Sequence, residues 1–151
     1  MKKLFLIMAA MSAVVSFSAC SDDDDKIDPN QIAGTWQITL IEGWADGSVH
    51  EEWSDVYPAI DDDNYYWTYT FDGQGKTKQV GYTDQGVHHS TNGTYTISDN
   101  ILTIVEVESD GYEEIKRFQI KKLTSSQLIL LERRIAPKFT EENTYTYKRV
   151  N

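Results

Sequence analysis

Residues 34–42 read GTWQITLIE, and Trp36, Ile38 and Leu40 alternate there with Thr35, Gln37 and Thr39. A two-residue period of this kind is the mark of a strand with one buried face. The pattern recurs down the chain. Tyr65–Phe71 (YYWTYTF) sets Trp67, Tyr69 and Phe71 against Tyr66, Thr68 and Thr70, and Lys76–Tyr82 returns after the turn Asp72-Gly73-Gln74-Gly75. GTYTIS (93–98) and ILTIVEV (101–107) flank Asp99-Asn100, and Asp110-Gly111 precedes a long strand from Glu113 to Leu123. Thr124-Ser125-Ser126 turns into Gln127–Arg134, and NTYTYKRV (143–150) closes the series. These are eight strands in sequential hairpins, with no long stretch of helical periodicity. Eight such strands close into a barrel, which removes both sheet edges. The sequence predicts an all-β fold, an eight-stranded up-and-down antiparallel β-barrel.

The connections divide by length. Those after the second, fourth and sixth strands are tight, whereas those after the first, third and seventh are longer. In an up-and-down barrel the two sets lie at opposite ends. One end is predicted to be sealed by short turns, the other to carry most of the loop mass: 43–64, 83–92 and 135–142.

The residues GTW resemble the Gly-x-Trp signature that opens lipocalins. In that family the tryptophan plugs the closed end of the barrel and packs against a basic residue from a late strand. The resemblance assigns the plug to Trp36 and its partner to Arg149, which lies in phase with Tyr145 and Tyr147. A guanidinium over an indole is worth roughly 0.5–2 kcal/mol. The span Ile32–Asn151 is similar to the lipocalin-like domains of bacterial lipoproteins, in which a phrase such as Leu123-Thr124-Ser125-Ser126-Gln127-Leu128 begins the penultimate strand.

Strand one starts at the sealed end, so the 43–64 connection (GWADGSVHEEWSDVYPAIDDDN) falls at the open one. In lipocalins the corresponding connection covers the cavity mouth. Connections of this length without regular structure are uncommon and are often lids or binding segments. Trp44, Trp53 and Tyr57 lie in it, and Trp67, Tyr69 and Tyr145 face the barrel interior behind it. These six are the expected ligand-binding residues. The same aromatic rings can equally fill the space, because an eight-stranded interior is only just wide enough for one small ligand.

The amino-terminal segment sets the expected compartment. Met1-Lys2-Lys3 is basic, Leu4–Phe17 is apolar and uncharged, and Ser18-Ala19 are small. A spanning helix needs roughly 20 apolar residues, so this run has the proportions of a cleaved signal peptide (1–19). The following SDDDDK contains an enteropeptidase signal, a common cloning scar, but it directly follows a complete export signal that ends on cysteine. SFSAC resembles the lipobox of bacterial lipoproteins, with Phe17 where leucine is usual, which implies lipidation of Cys20. Ser21–Asp25 is similar to the acidic export signal of some Gram-negative surface lipoproteins. The resemblance implies a protein lipid-anchored in the outer membrane and exposed at the cell surface. Residues 20–31 then read as the lipidated Cys20 and a flexible acidic tether, and 32–151 as the domain. Cys20 is the only cysteine, so no internal disulfide is possible.

Without residues 1–19 the chain carries 12 basic and 24 acidic residues, a balance of −12. Nucleic acid is a poor partner for such a surface. No nucleophile elbow, zinc-protease motif or phosphate loop is present. Asp61-Asp62-Asp63-Asn64 lacks the spacing of an EF-hand, and on an extended strand the adjacent His88 and His89 point apart. The expectation is therefore a non-enzymatic protein with no cofactor, no catalytic residue and no metal site. It binds a small hydrophobic or amphiphilic molecule at the barrel mouth. The alternative is a filled barrel whose open-end loops dock a protein or glycan partner.

Overall fold

The computed structural model describes residues 27–151. The leader, Cys20 and the acidic run lie outside the described residues. After a short 3-10 turn, Pro29–Ile32, nine strands follow: β1 (Gly34–Asp46), β2 (His50–Val56), β3 (Tyr66–Phe71), β4 (Lys76–Thr83), β5 (Gly86–Ser98), β6 (Ile101–Val107), β7 (Glu113–Leu123), β8 (Gln127–Ala136) and β9 (Phe139–Arg149). Neighbours from β3 to β9 pair antiparallel in chain order, and β1 joins both ends of that series. Gly34–Gln37 pair with β3, from Gly34↔Phe71 to Gln37↔Thr68, while Trp36–Asp46 run along β9. The fold is the predicted closed eight-stranded antiparallel up-and-down barrel, with β2 as one extra strand.

β2 corrects the expected 43–64 loop. Beyond Gln37, β1 parts from β3, and the freed edge pairs with β2 from Leu40↔Val56 to Asp46↔His50. An unpaired strand edge leaves backbone donors and acceptors without partners, and the returning segment satisfies them. The other two open-end loops shrink for the same reason. β4 and β5 are separated only by Asp84-Gln85, and β8 and β9 only by Pro137-Lys138. The open end is thus built of tall hairpins, with 57–65 as its longest irregular connection.

A register shift between Ile38 and Leu40 changes the inward set on β1. Ile41, opposite Tyr145, packs against the core where the alternation had assigned Leu40. A bulge inserts one residue and flips the faces beyond it.

The core fills the sealed end. Trp36, Ile38, Leu102, Ile104 and Leu130 are completely buried, with Phe71, Leu128 and Tyr147 almost so. The Trp36 indole donates to the Ile32 carbonyl at 2.7 Å, and the Arg149 guanidinium carbon stands 4.3 Å from its ring centroid. Arg149 also donates to the carbonyls of Gln31 and Ala33. Gly34 sits at φ +131°, where a Cβ would overlap that guanidinium, so its place in GTW follows from backbone freedom and close approach. These contacts move the expected domain boundary. Ile27 packs against the core and Asp28 caps the turn through Asn30 N at 3.0 Å. Residues 27–31, read as the end of a tether, belong to the folded unit.

Candidate functional site at the open end

Four charged side chains share the inward phase of apolar neighbours. On β6, Glu106 follows Leu102 and Ile104, and on β7, Lys116 precedes Phe118 and Ile120. On β8, Glu132 and Arg134 follow Leu128 and Leu130. A buried charge is tolerated only when paired and hydrogen-bonded. Glu106, 2% exposed, accepts from the Tyr69 hydroxyl at 3.0 Å and from Lys116 Nζ. Lys116 also reaches Glu114 at 3.4 Å. Glu132 accepts from the Tyr145 hydroxyl at 2.9 Å and lies 3.3 Å from Arg134. Burial raises the pKa of Tyr69 well above 10, with Tyr147 and Glu106 acting in the same direction. Burial and then the Glu132 charge raise that of Tyr145. Both phenols are held neutral, as hydrogen-bond donors to a carboxylate.

The six residues expected to contact a ligand divide into five groups. Tyr69 is 3% exposed and belongs to the core. Tyr145 packs edge-on against Phe118 at 5.7 Å. Tyr57 and Trp67 meet edge-to-face at 5.1 Å, and Trp67 Nε1 lies 3.4 Å from the Tyr147 hydroxyl. Trp53, on β2, donates to Asn143 Oδ1 at 2.9 Å. Trp44 alternates with the buried Gly43 and Ala45, so it sits on the outer wall, stacked on His50 at 6.4 Å. Tyr57, Trp67, Trp53 and Tyr145 remain partly exposed at the mouth, above a middle layer filled by Tyr69, Tyr147 and Glu106.

A cleft of about 350 Å³ opens beside this mouth, between the 57–65 connection and the β4–β5 hairpin. Asp62, Asp63, Tyr65, Thr83, Gln85, His88 and His89 line it, and none of the six expected residues is among them. Tyr65 links the two regions, with its ring 6.0 Å from Trp67 and 6.3 Å from both His89 and His88. The histidines correct the expectation that they diverge. Gly81 pairs with His89 but Tyr82 with Val87, which leaves His88 as an extra residue in the ladder. The bulge brings both rings to one cleft, 5.7 Å apart and edge-to-face. Gly81 makes room for His89, because a Cβ there would overlap the imidazole. Among the described residues no group of three or more His, Cys, Asp or Glu side chains is placed to hold a metal ion.

Charge is segregated along the barrel axis. Of the twenty acidic residues from 27 onward, only Asp28, Asp72 and Asp99 belong to the sealed half. Of the eleven basic ones, only Lys116, Arg133, Arg134 and Lys138 belong to the open half. The open half therefore carries −13 and the sealed half +4, with histidines counted neutral.

A small closed antiparallel barrel, sealed by a Trp–Arg plug and bearing aromatic rings at its other end, defines the lipocalin type of architecture. Residues 32–130 match the model of the lipocalin-like domain family, and the chain belongs to that family. Similar solved structures include a lipocalin-like protein from Bacteroides uniformis, 14% identical over 79% of this chain and 98% of that one, with a TM-score of 0.49. An uncharacterized protein from Bacteroides eggerthii is 13% identical over 78% and 98%, with a TM-score of 0.47. Bovine odorant binding protein, in complex with a selenium-containing odorant, is 16% identical over 87% and 78%, with a TM-score of 0.44. No curated protein matches the sequence.

Proposed function

We propose that this protein is a non-enzymatic, lipid-anchored binding protein that takes a small amphiphilic molecule at the open end of its barrel. The family supports the general reading, since lipocalin-like domains generally bind small hydrophobic ligands. One observation carries the placement. Trp36, Phe71 and Tyr147 are enclosed in the core below, whereas Tyr57, Tyr65 and Trp67 form a partly exposed chain that leads into the cleft. The filled middle layer rules out a deep cup in this arrangement, so the ligand rests on the mouth. Aromatic faces supply contact area, and Gln85, Thr83 and the carboxylates fix orientation.

Titration of tryptophan emission with long-chain amphiphiles, haem-like molecules and short oligosaccharides tests this. A saturable change is expected, weakened about 2–10-fold in Tyr57→Ala, in line with roughly 0.5–1.5 kcal/mol for one aromatic contact. Silence across all three classes from folded protein would discard the reading. The filled interior specifically favours a second one, in which the open end docks a protein or glycan partner.

The anchor rests on SFSAC and the acidic run after it. Cells fed an alkyne fatty acid are expected to label the wild-type chain and not Cys20→Ala. External protease should then remove the labelled protein from intact cells. Equal labelling of the variant would exclude Cys20 as the acceptor, and resistance to protease would exclude surface exposure.

A further inference from the structure

The proposed mouth site leaves the ligand's charge open, and the cleft's chemistry bears on it. Three ring systems, Tyr65, His88 and His89, stand on its walls at mutual centroid distances of 5.7–6.3 Å. Among the described residues, Asp62 and Asp63 are its only lining groups with a fixed charge, and no lysine or arginine lines it. Lys116, whose charge is felt at Tyr65, is engaged by Glu106 and Glu114. The surrounding half of the barrel is at −13, so the field beyond the cleft has the same sign as the field within it.

We infer that the cleft is a binding site for a small organic cation, an alkyl- or arylammonium whose charged head sits among Tyr65, His89 and the Asp62–Asp63 carboxylates. This rests on the mouth-site reading above and adds the ligand's charge and seat. The negative face of an aromatic ring attracts a cation placed over it, and rings arranged around a site are how proteins select quaternary ammonium groups. A low-dielectric wall next to carboxylates focuses the field and raises the local concentration of cations. An anion would meet two carboxylates with no lysine or arginine among the described lining residues to offset them. A neutral apolar molecule would cover Asp62 and Asp63 without neutralising them, at a desolvation cost. Size favours a small molecule over a protein surface, since about 350 Å³ lies within the range of ligand pockets. The apolar part of such a ligand would extend along Tyr65 toward Trp67 and Tyr57.

Four probes of equal ring size decide the matter: benzyltrimethylammonium, benzylamine, benzyl alcohol and benzoate. They are titrated calorimetrically into the full-length protein in non-ionic detergent. Both ammonium compounds are expected to bind at least about tenfold more tightly than benzyl alcohol, with benzoate inert. An Asp62→Asn, Asp63→Asn double variant should lose about tenfold for the ammonium probes and nothing for benzyl alcohol. The substitutions lie in an exposed turn, and unchanged circular dichroism shows that the fold is intact. Equal affinity for benzyl alcohol overturns the inference about charge while leaving a mouth site standing. Ammonium binding that ignores the Asp62 and Asp63 substitutions places the site elsewhere and overturns it as well. A lysine-rich peptide that binds where the small ammonium probes do not makes this face a protein-docking surface instead. Failure of all four probes, together with silence in the fluorescence titration, removes the mouth-site reading itself.

Discussion

Trp36→Ala is expected to cost the domain roughly 3–5 kcal/mol, the range for emptying a fully enclosed tryptophan site. The cost comes from three sources at one place. The indole is completely buried, so its removal opens a cavity at the sealed end that the short turns cannot collapse to fill. The Ile32 carbonyl loses its 2.7 Å donor. The Arg149 guanidinium loses the ring beneath it, and its buried Nε already has no partner among the described residues. A domain of this size has only about 5–15 kcal/mol in total, so a large share of the folded population is at stake. Trp36→Phe separates the contributions. It keeps an aromatic face under Arg149 and loses the donor, so an intermediate loss is expected. Urea unfolding followed by circular dichroism measures both. A Trp36→Ala midpoint close to the parent's would show that the plug is dispensable.

The second large effect belongs to Lys116. Lys116→Met leaves Glu106 charged inside the barrel with the Tyr69 hydroxyl as its one remaining side-chain partner among the described residues. Breaking a buried pair on one side costs about 3–5 kcal/mol. The low end applies here, because the Lys116 side chain is 22% exposed and water offers partial relief. Glu106→Gln combined with Lys116→Met removes both charges and is expected to recover most of the loss. If the double variant is no more stable than Lys116→Met, stranded charge is not the cause.

The same pair makes stability sensitive to alkali. Burial disfavours the Lys116 charge, but the hydrogen bond and charge of Glu106, with help from Glu114, outweigh it and raise the pKa above 10.5. A group whose folded pKa is raised stabilises fully below its unfolded value and ceases to as pH climbs through the folded one. Burial raises the Tyr69 and Tyr147 phenols above 10, which acts in the same direction. Melting temperature is therefore expected to fall from about pH 10 upward. The fall should be shallower in the double variant, which keeps only the tyrosine part.

The barrel itself was legible because its evidence is local. Alternation in YYWTYTF, GTYTIS and ILTIVEV, with turn residues between them, specifies strands and their order without reference to anything distant. GTW and Arg149 were legible through a family resemblance. β2 was not, because HEEWSDV has few β-branched residues and becomes a strand only when β1 leaves β3 and offers its edge. The bulge at His88 was invisible for a related reason, since register belongs to a pair of strands and not to one. The interior charges did leave a signal. Glu106, Lys116 and Glu132 each stand in phase with buried leucine, isoleucine or phenylalanine, and a charge on a core face calls for a partner. The segregation of acid and base could likewise be read once each strand has a direction. The cleft needed the folded backbone, because the 57–65 connection and the β4–β5 hairpin meet only in three dimensions.

Closure of β1 on β9 has a topological consequence. Thr35 N donates to the Asn151 carbonyl at 2.8 Å and Val150 N to the Thr35 carbonyl at 2.9 Å, so the two ends of the folded chain meet beside the plug. The barrel is a ring whose starting point is arbitrary, the geometry in which circular permutation is tolerated. About 33 Å of strand separates Arg149 from Phe139 at the rim. Ile27 and Asn151, the two ends of the described chain, thus both lie at the end of the barrel opposite the cleft.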